Sequence, residues 1–302
     1  MLRWRLVSAA ILISSLLTLV WLDYRLVGFG LPGAWLLPLA LLAVAQGVRE
    51  FRSLLAGRGL ATHGFETYVA TLAVLLGAGA SLLGAAGARL AASGGVLAGP
   101  ALALAFAVLT LFVGEMARYR EPGGVTQRIA ASLLIVVYLG LLGGFLILLR
   151  IWRGNEWGIA ALTSMILVVK LSDAGAYFAG RMFGRHPLAP RLSPKKTIEG
   201  GLGGIGASVA GAGVYCHFVL PYLVPHAPVI APWRWVAYGV VLAVTGMLGD
   251  LAESLVKRDL GQKDSGSLLP GMGGILDVLD SLLFGAPVAY ACWSLGLMFA
   301  PP

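Results

Sequence analysis

The sequence predicts an all-α fold, a polytopic transmembrane helical bundle with about nine membrane-spanning helices. Of its 302 residues, 58% are hydrophobic and 12% are charged, whereas a soluble domain carries about 25% charged residues. The apolar residues fall into runs of roughly 17–22, the length with which a helix crosses a bilayer core. The 42 glycines, 15 prolines and mean hydropathy of +0.86 are typical of such helices. These figures exclude a soluble enzyme, a disordered chain and a disulfide scaffold.

Nine apolar runs define the predicted spans. They cover residues 6–22, 31–48, 67–85, 96–117, 129–149, 157–179, 201–220, 235–256 and 275–297. The first follows Arg3 and Arg5, as the apolar region of a signal peptide would, but it ends at Trp21-Leu22-Asp23-Tyr24 without small residues for cleavage. We therefore expect it to be an uncleaved first helix.

The positions of lysine and arginine orient these spans. With the N-terminus inside, 16 of the 22 basic residues fall in predicted cytoplasmic segments, five fall in outer segments, and Lys170 lies within a helix. Cytoplasmic loops are enriched in Lys and Arg, so the sequence predicts an N-in, C-out protein of the plasma (inner) membrane. The same asymmetry explains the net charge of +8. Nucleic acid is not an expected partner, because no basic stretch is interleaved with stacking aromatic residues.

The two halves of the chain differ in character. Residues 1–150 are rich in Leu and Ala and are predicted to be N-terminal membrane scaffold helices, whereas residues 151–302 form the predicted catalytic membrane domain. A glycine-rich run from Gly200 to Gly213 opens the seventh span. Such a run favours close helix packing, and an anion-binding helix N-terminus is the alternative interpretation.

Five carboxylates on three predicted helices lie near the cytoplasmic surface, namely Asp173, Asp250, Glu253, Asp277 and Asp280. Helical spacing places Lys170 and Tyr177 on one face with Asp173, and Ser254 and Lys257 on one face with Asp250. Ionisable groups within spans are costly and usually functional. Carboxylates are ligands that Mg²⁺ prefers, and the basic loops 181–199 and 257–263 could neutralise phosphate oxygens. The pattern predicts a lipid phosphotransferase site that faces the cytoplasm.

Two motif blocks carry a family resemblance. The first includes Asp173-Ala174-Gly175-Ala176-Tyr177, Gly180-Arg181, Phe183-Gly184 and Ser193-Pro194-Lys195-Lys196-Thr197-Ile198-Glu199-Gly200. The second includes Ser254, Lys257-Arg258, Lys263-Asp264, Gly266, Pro270-Gly271, Gly273-Gly274, Asp277 and Asp280. Together they resemble the phosphatidate cytidylyltransferases, or CDP-diacylglycerol synthases. Two positions depart from that signature, with Met272 in place of His and Val278 in place of a common Arg. The absence of a histidine at 272 does not remove a required general base, because the attacking lipid phosphate is already an anion. For position 278, Arg258 is the candidate to replace the missing arginine contact.

The resemblance implies that CTP and phosphatidate react to CDP-diacylglycerol and pyrophosphate, with Mg²⁺ as cofactor and the lipid bilayer as partner. It implies catalytic roles for Asp250, Lys257, Asp277 and Asp280, with the three aspartates binding the metal. It implies substrate-binding roles for Asp173, Tyr177, Ser193, Lys195, Lys196, Thr197, Ser254, Arg258, Lys263 and Asp264. Asp264 either orients Lys263 or recognises the cytosine amino group. The resemblance also implies a homodimer and a second cation, with K⁺ as the candidate.

Other functions remain alternatives at this point. A CTP-dependent polyprenol kinase or an ether-lipid cytidylyltransferase would use similar residues on another lipid. An ion-coupled transporter would use buried carboxylates to bind its ion, but it would place them near the membrane midplane between broken helices. The predicted carboxylates lie toward one surface beside basic loops, which favours the enzyme.

Overall fold

The computed structural model describes residues 2–27, 30–82, 84–266, 268 and 273–298, and most of them are helical. The helices are α1 (Leu2–Arg25), α2 (Leu37–Ala56), α3 (Phe65–Gly77), α4 (Gly84–Gly94), α5 (Ala98–Arg118), α6 (Val125–Ile135), α7 (Leu142–Arg150), α8 (Asn155–Phe183), α9 (Ile198–Val214), α10 (Leu220–Leu223), α11 (Pro232–Asp259) and α12 (Leu276–Ser294). Two π-helical segments, Val136–Leu141 and Tyr215–Val219, join α6 to α7 and α9 to α10. The predicted helical class is confirmed, with one small sheet added to it.

Six segments of the described chain are long and apolar enough to cross a membrane. They are Ala98–Arg118, Val125–Arg150, Asn155–Phe183, Ile198–Leu223, Pro232–Asp259 and Leu276–Ser294. Each overlaps one of the last six predicted spans. Helices α1 and α2, of 24 and 20 residues, overlap the first two predicted spans, and α2 extends beyond the predicted end at residue 48 to Ala56. The chain therefore has the helices of a multi-pass membrane protein.

The third predicted span, 67–85, differs from the observed structure. Helix α3 ends at Gly77, and a 3₁₀ turn at Ala80–Leu82 precedes α4. Gly84, at the start of α4, has φ +64°, a conformation that L side chains rarely adopt. A Cβ at Gly77 would lie 2.9 Å from the Gly99 carbonyl oxygen, so glycine allows the end of α3 to approach α5 closely. The apolar run continues through this break, and hydropathy alone does not reveal it.

The chain forms two compact units. The first comprises Met1–Leu148 and Asp259–Val278, and the second comprises Leu149–Arg258 and Leu279–Pro302. In the first unit, α3 packs against α5 and against the π-helical segment that follows α6. Fully buried apolar side chains form its interior, among them Val74, Leu111, Ile135 and Leu139.

In the second unit, α8 and α9 pack closely through small residues. A Cβ added at Gly200 would lie 2.8 Å from the Ala176 carbonyl oxygen, and one at Gly204 would lie 3.0 Å from that of Ser172. A Cβ at Gly175 would lie 2.9 Å from the Gly203 carbonyl oxygen. These distances leave no room for side chains at the three glycines, so the helix-packing interpretation is confirmed for Gly200 and Gly204 of the glycine-rich run.

The sheet between α8 and α9 is a two-stranded antiparallel hairpin that the sequence did not predict. Strands β1 (Pro187–Ala189) and β2 (Ser193–Thr197) pair with Pro187 opposite Thr197 and Ala189 opposite Ser193. Thr197 then begins α9 as its N-cap, because its Oγ1 accepts a 3.1 Å hydrogen bond from the Gly200 amide. The basic loop is therefore an ordered strand that leads directly into a helix.

Candidate active site

Three carboxylates of the second unit form the centre of the candidate site. Asp250 and Glu253 lie one turn apart on α11, and Asp280 lies on α12. One carboxylate oxygen from each residue lies within 4.8 Å of those of the other two. Glu253 and Asp280 are only 5% and 6% exposed, whereas Asp250 is half-buried. Buried like charges at this distance repel each other unless cations balance them.

A glycine allows the two helices to meet at this point. A Cβ at Gly249 would lie 2.5 Å from the Asp280 carbonyl oxygen and 2.9 Å from the Phe284 Cβ. Real Cβ atoms do not approach a carbonyl oxygen so closely, so any larger residue would push the helices apart. Gly249 therefore sets the separation between the backbones that carry Asp250 and Asp280.

Two lysines bind these carboxylates. Lys196 Nζ, from β2, lies 2.5 Å from Asp250 Oδ2. Lys257 Nζ, one turn after Glu253 on α11, donates a 2.6 Å hydrogen bond to Glu253 Oε2, and Lys257 is itself buried. The sequence placed both lysines in the site, and the structure brings both to its carboxylates.

A second polar group lies on α8 and α12. Lys170 Nζ donates hydrogen bonds to Asp173 Oδ2 (3.1 Å) and to Ser281 Oγ (2.9 Å). Ser281 Oγ donates in turn to Asp173 Oδ2 at 3.0 Å, and the Ser281 amide donates to Asp280 Oδ1 at 2.5 Å. Ser281 thus connects Asp173, a predicted site residue, to the helix position beside Asp280. The sequence analysis assigned no role to Ser281.

The other predicted site residues of this unit have more peripheral positions. Arg258 Nε donates to the Leu192 carbonyl oxygen at 3.3 Å, which holds the end of α11 against the turn before β2. Tyr177 is exposed, and its hydroxyl accepts a hydrogen bond from Arg181 Nη1. Ser254 is buried on α11, while Ser193 and Lys195 lie on β2, where Lys195 is exposed.

Asp277 belongs to the first unit, where it organises the segment before α12. Its Oδ2 accepts hydrogen bonds from the Ser265 hydroxyl (2.6 Å), the Ser265 amide (3.2 Å) and the Gly274 amide (2.8 Å). Lys263 and Asp264, just upstream, are exposed. Pro270, Gly271 and Met272 lie outside the described residues.

A glutamate of α2 also binds this segment. Glu50, 5% exposed, accepts hydrogen bonds from the amides of Ile275 (3.0 Å) and Leu276 (3.1 Å). The sequence analysis did not consider it, because nothing in a single sequence connects residue 50 with a motif more than 200 positions away.

The residues present fit a divalent metal ion. Asp250, Glu253 and Asp280 offer hard oxygen atoms within 4.8 Å of one another, which is the donor type that Mg²⁺ takes. Among the described residues, these three form the cluster of potential ligands, and Asp277 is not one of them. Glu253, one of the five carboxylates of the sequence analysis but not among its three assigned metal ligands, is the third member. Its position one turn after Asp250 was the available signal.

Comparison with known proteins identifies the family of the chain. The model of the cytidylyltransferase family matches residues 3–295. A Mycobacterium bovis protein named phosphatidate cytidylyltransferase is 36% identical over 174 residues, which cover 57% of this chain and 52% of the relative. A Mycobacterium tuberculosis protein of the same name is also 36% identical, over 57% of this chain and 48% of the relative.

A Staphylococcus aureus protein, again named phosphatidate cytidylyltransferase, is 36% identical over 189 residues, covering 62% of this chain and 65% of the relative. The chain thus spans about half the length of the mycobacterial relatives that it matches. The family match, in contrast, extends over nearly the whole chain. On this evidence, the chain belongs to the cytidylyltransferase family.

Proposed function

We propose that this chain is an integral-membrane phosphatidate cytidylyltransferase, which converts CTP and phosphatidate into CDP-diacylglycerol and pyrophosphate. The observation that carries the proposal is the cluster of Asp250, Glu253 and Asp280 with two bound lysines, in a chain of the cytidylyltransferase family. Nucleotidyl transfer depends mainly on positioning and on neutralising phosphate charge. The carboxylates can hold a cation and the neighbouring lysines can bind phosphate. Together they can position the substrates and neutralise the phosphate charge.

We further propose about nine spans, the third of them interrupted after Gly77, with the N-terminus inside and the active site at the cytoplasmic face of the plasma membrane. The distribution of basic residues supports this orientation, since the loop 181–199 and the segment 257–263 carry many of the lysines and arginines. CTP is a cytoplasmic nucleotide, and phosphatidate reaches such a site from the bilayer. A homodimer, with K⁺ as a second cation, is carried over from the family resemblance.

In the proposed reaction, a phosphate oxygen of phosphatidate attacks the α-phosphorus of CTP in line. The bond between the α-phosphorus and the oxygen that bridges it to the β-phosphorus breaks, and pyrophosphate leaves with that bond's electron pair. The lipid phosphate is already an anion, so the chain does not have to remove a proton. What the protein contributes is the alignment of two polyanions, which otherwise repel each other.

Basic side chains are proposed to bring the two substrates together. Lys257, Arg258 and Lys263 bind CTP phosphates or the lipid phosphate, and Ser193, Lys195, Lys196 and Thr197 bind phosphate from β2. Ser254 contacts substrate from α11. Asp173 and Tyr177 contact the nucleotide or orient its contacts, and Asp264 either orients Lys263 or recognises the cytosine amino group.

Asp250 and Asp280 are the proposed ligands of Mg²⁺, with Glu253 beside them and Asp277 assigned by the family resemblance. When bound there, Mg²⁺ would neutralise charge on the CTP phosphates and favour pyrophosphate as the leaving group. Lys196 and Lys257 contact two of these carboxylates, so a bound ion would share the carboxylate oxygen atoms with the lysines.

The decisive assay follows the label from [α-³²P]CTP with purified protein and phosphatidate in mixed micelles, with and without Mg²⁺. We expect Mg²⁺-dependent label in CDP-diacylglycerol, and its loss in Asp250→Asn that thermal unfolding shows to be folded. Label on the lipid from [γ-³²P]CTP instead would identify a kinase. Lack of label from both nucleotides, with folded wild-type protein, would refute the proposal.

A further inference from the structure

Glu50 is a buried carboxylate whose partners belong to the segment before α12. Besides the Ile275 and Leu276 amides, Gln46 Nε2 donates to Glu50 Oε1 at 3.1 Å, and Ser265 Oγ lies 3.5 Å from Oε2. These donors are neutral groups. Burying a carboxylate costs free energy unless hydrogen bonds compensate for the lost solvation. These contacts therefore fix the position of the Glu50 carboxylate.

The amides of Ile275 and Leu276 are at the start of α12, where the first N–H groups have no partner within the helix. A carboxylate at a helix N-terminus satisfies such donors and interacts favourably with the helix dipole. Glu50 therefore caps α12 from a distant helix. The residue that follows these two amides is Asp277.

The glycines at positions 266, 273 and 274 of the motif have a physical explanation in these contacts. A Cβ at Gly266 would lie 3.0 Å from Glu50 Cδ, and a Cβ at Gly274 would overlap Glu50 Oε2 and Ser265 Oγ. A Cβ at Gly273 would lie 2.5 Å from Asp277 Oδ2, and Gly273 also has φ +96°. Side chains at these positions would displace one carboxylate or the other.

Ser265 connects the two carboxylates. Its hydroxyl lies 2.6 Å from Asp277 Oδ2 and 3.5 Å from Glu50 Oε2, and its amide donates to Asp277 as well. Glu50 thus contacts the same serine and the same helix start that hold Asp277. Movement of the Glu50 carboxylate would disturb the groups that fix Asp277.

We propose that Glu50 is a positioning residue for Asp277, which it holds in its working orientation by capping α12 and binding Ser265. The catalytic part of this inference rests on the proposed function. The structural part, that Glu50 caps α12, does not depend on the reaction. It also gives the N-terminal helices, predicted to be scaffold, a direct part in organising the signature motif.

The test compares Glu50→Gln with Glu115→Gln in the full chain, purified in detergent. Glu115 is a matched control because it is also 5% exposed, lies in the same unit and binds Arg128 instead of the motif. The glutamine at 50 keeps the size and one carbonyl acceptor but removes the charge. Amide hydrogen exchange of the peptide containing Ile275 and Leu276 is measured for both variants, without substrate.

We expect faster exchange at residues 275–276 in Glu50→Gln and unchanged exchange there in Glu115→Gln. In activity assays, Glu50→Gln should lower kcat/KM by about 10- to 100-fold, the loss typical when a group that orients a metal ligand is removed. It should also raise the Mg²⁺ concentration for half-maximal rate, because the family resemblance assigns Asp277 to the metal. Glu115→Gln should leave that Mg²⁺ concentration unchanged. Ser265→Ala, a milder change, should reproduce the shift in Mg²⁺ requirement if Glu50→Gln does not fold.

Unchanged exchange at residues 275–276 in folded Glu50→Gln would overturn the proposal, as would unchanged kcat/KM and Mg²⁺ requirement. If wild-type protein transfers no cytidylyl group, the proposed function fails, while the exchange experiment still decides whether Glu50 caps α12. The two failures are therefore distinguishable.

Discussion

Buried carboxylates occur in both compact units, and their charge is balanced in different ways. In the first unit, Glu115 accepts hydrogen bonds from Arg128 Nε (2.7 Å) and Nη2 (2.8 Å) and lies 3.1 Å from His63 Nε2. Glu66 forms an ion pair with Arg118. Each glutamate of this network has its own arginine, so its charges cancel without any further ligand.

The carboxylate cluster of the second unit lacks this balance. Asp250 and Glu253 each bind a lysine, but within the described residues Asp280 forms no ion pair. Three acids therefore share two lysines. An excess of buried negative charge destabilises a fold unless a cation or another compensating group is bound. The comparison therefore separates a network that the chain balances by itself from a cluster that calls for a further cation.

The largest expected effect comes from removing the unpaired carboxylate. Asp280→Asn should lower kcat by about 10²–10³-fold, because several kcal/mol of metal-dependent charge stabilisation are lost. Its thermal stability should stay equal or rise, since the excess charge is removed. Initial rates and thermal unfolding of the same preparation measure both quantities. Substantial activity in Asp280→Asn would show that catalysis does not depend on the charge of the Asp280 carboxylate.

Separating α11 from α12 should disturb the same cluster without changing its charge. Gly249→Ala would place a Cβ 2.5 Å from the Asp280 carbonyl oxygen, and such overpacking destabilises by about 1–3 kcal/mol. We expect lower activity together with a lower Tm. The matched control is Gly206→Ala on α9, where no described heavy atom lies within 4 Å of the added Cβ. Equal effects of the two substitutions would contradict the role assigned to Gly249.

Removing a charge from the Glu115 network should lower stability and leave activity unchanged, the opposite of what is expected for Asp280→Asn. Glu115→Gln removes the charge that two arginine hydrogen bonds share, and loss of such bonds costs about 1–3 kcal/mol of unfolding free energy. Activity per folded molecule should remain at the wild-type level. Thermal unfolding and initial rates in the same detergent test this, and a large fall in kcat with unchanged Tm would reverse the comparison.

The smallest effect is a pH dependence at His63, which lies in the loop before α3. Burial lowers the pKa of His63 from 6.5, despite the opposing effect of Glu115. The unfolded chain therefore binds a proton at higher pH than the folded chain, and stability falls as pH decreases below 6.5. The loss grows by at most about 1.4 kcal/mol per pH unit and stops at the folded pKa.

Tm measured at about pH 7.5 and pH 5.5, on either side of this ionisation, should fall more for wild-type protein than for His63→Gln. The backbone contacts of His63, from its amide to Ser132 and from Thr67 to its carbonyl, are retained in that variant. An equal change in Tm for both proteins would show that His63 does not titrate differently in the folded state.

The sequence predicted much of the second unit because its signals are local. Apolar runs located the ends of α8, α11 and α12 to within a few residues. Helical spacing placed Asp250 and Glu253 on one face. The break after Gly77 and the strand at Ser193–Thr197 depend on backbone conformation within apolar or basic stretches, which composition does not report.

Long-range contacts were beyond sequence reasoning for a different reason. The family resemblance assigned Asp277 as a metal ligand. It gave no sign that Asp277 Oδ2 accepts hydrogen bonds from Ser265 and Gly274. Similarly, the pairing of Glu50 with Ile275 joins two distant parts of the chain. Such contacts are created by tertiary packing and leave no periodic pattern in one sequence.

The hairpin between α8 and α9 has a consequence for its two adjacent lysines. Strand β2 pairs irregularly with β1, since the paired positions lie two residues apart in β1 but four residues apart in β2. Of the two lysines, Lys196 is half-buried and lies at Asp250, whereas Lys195 is exposed. The register of a five-residue strand thus decides which of the two lysines pairs with Asp250 and which one faces outward.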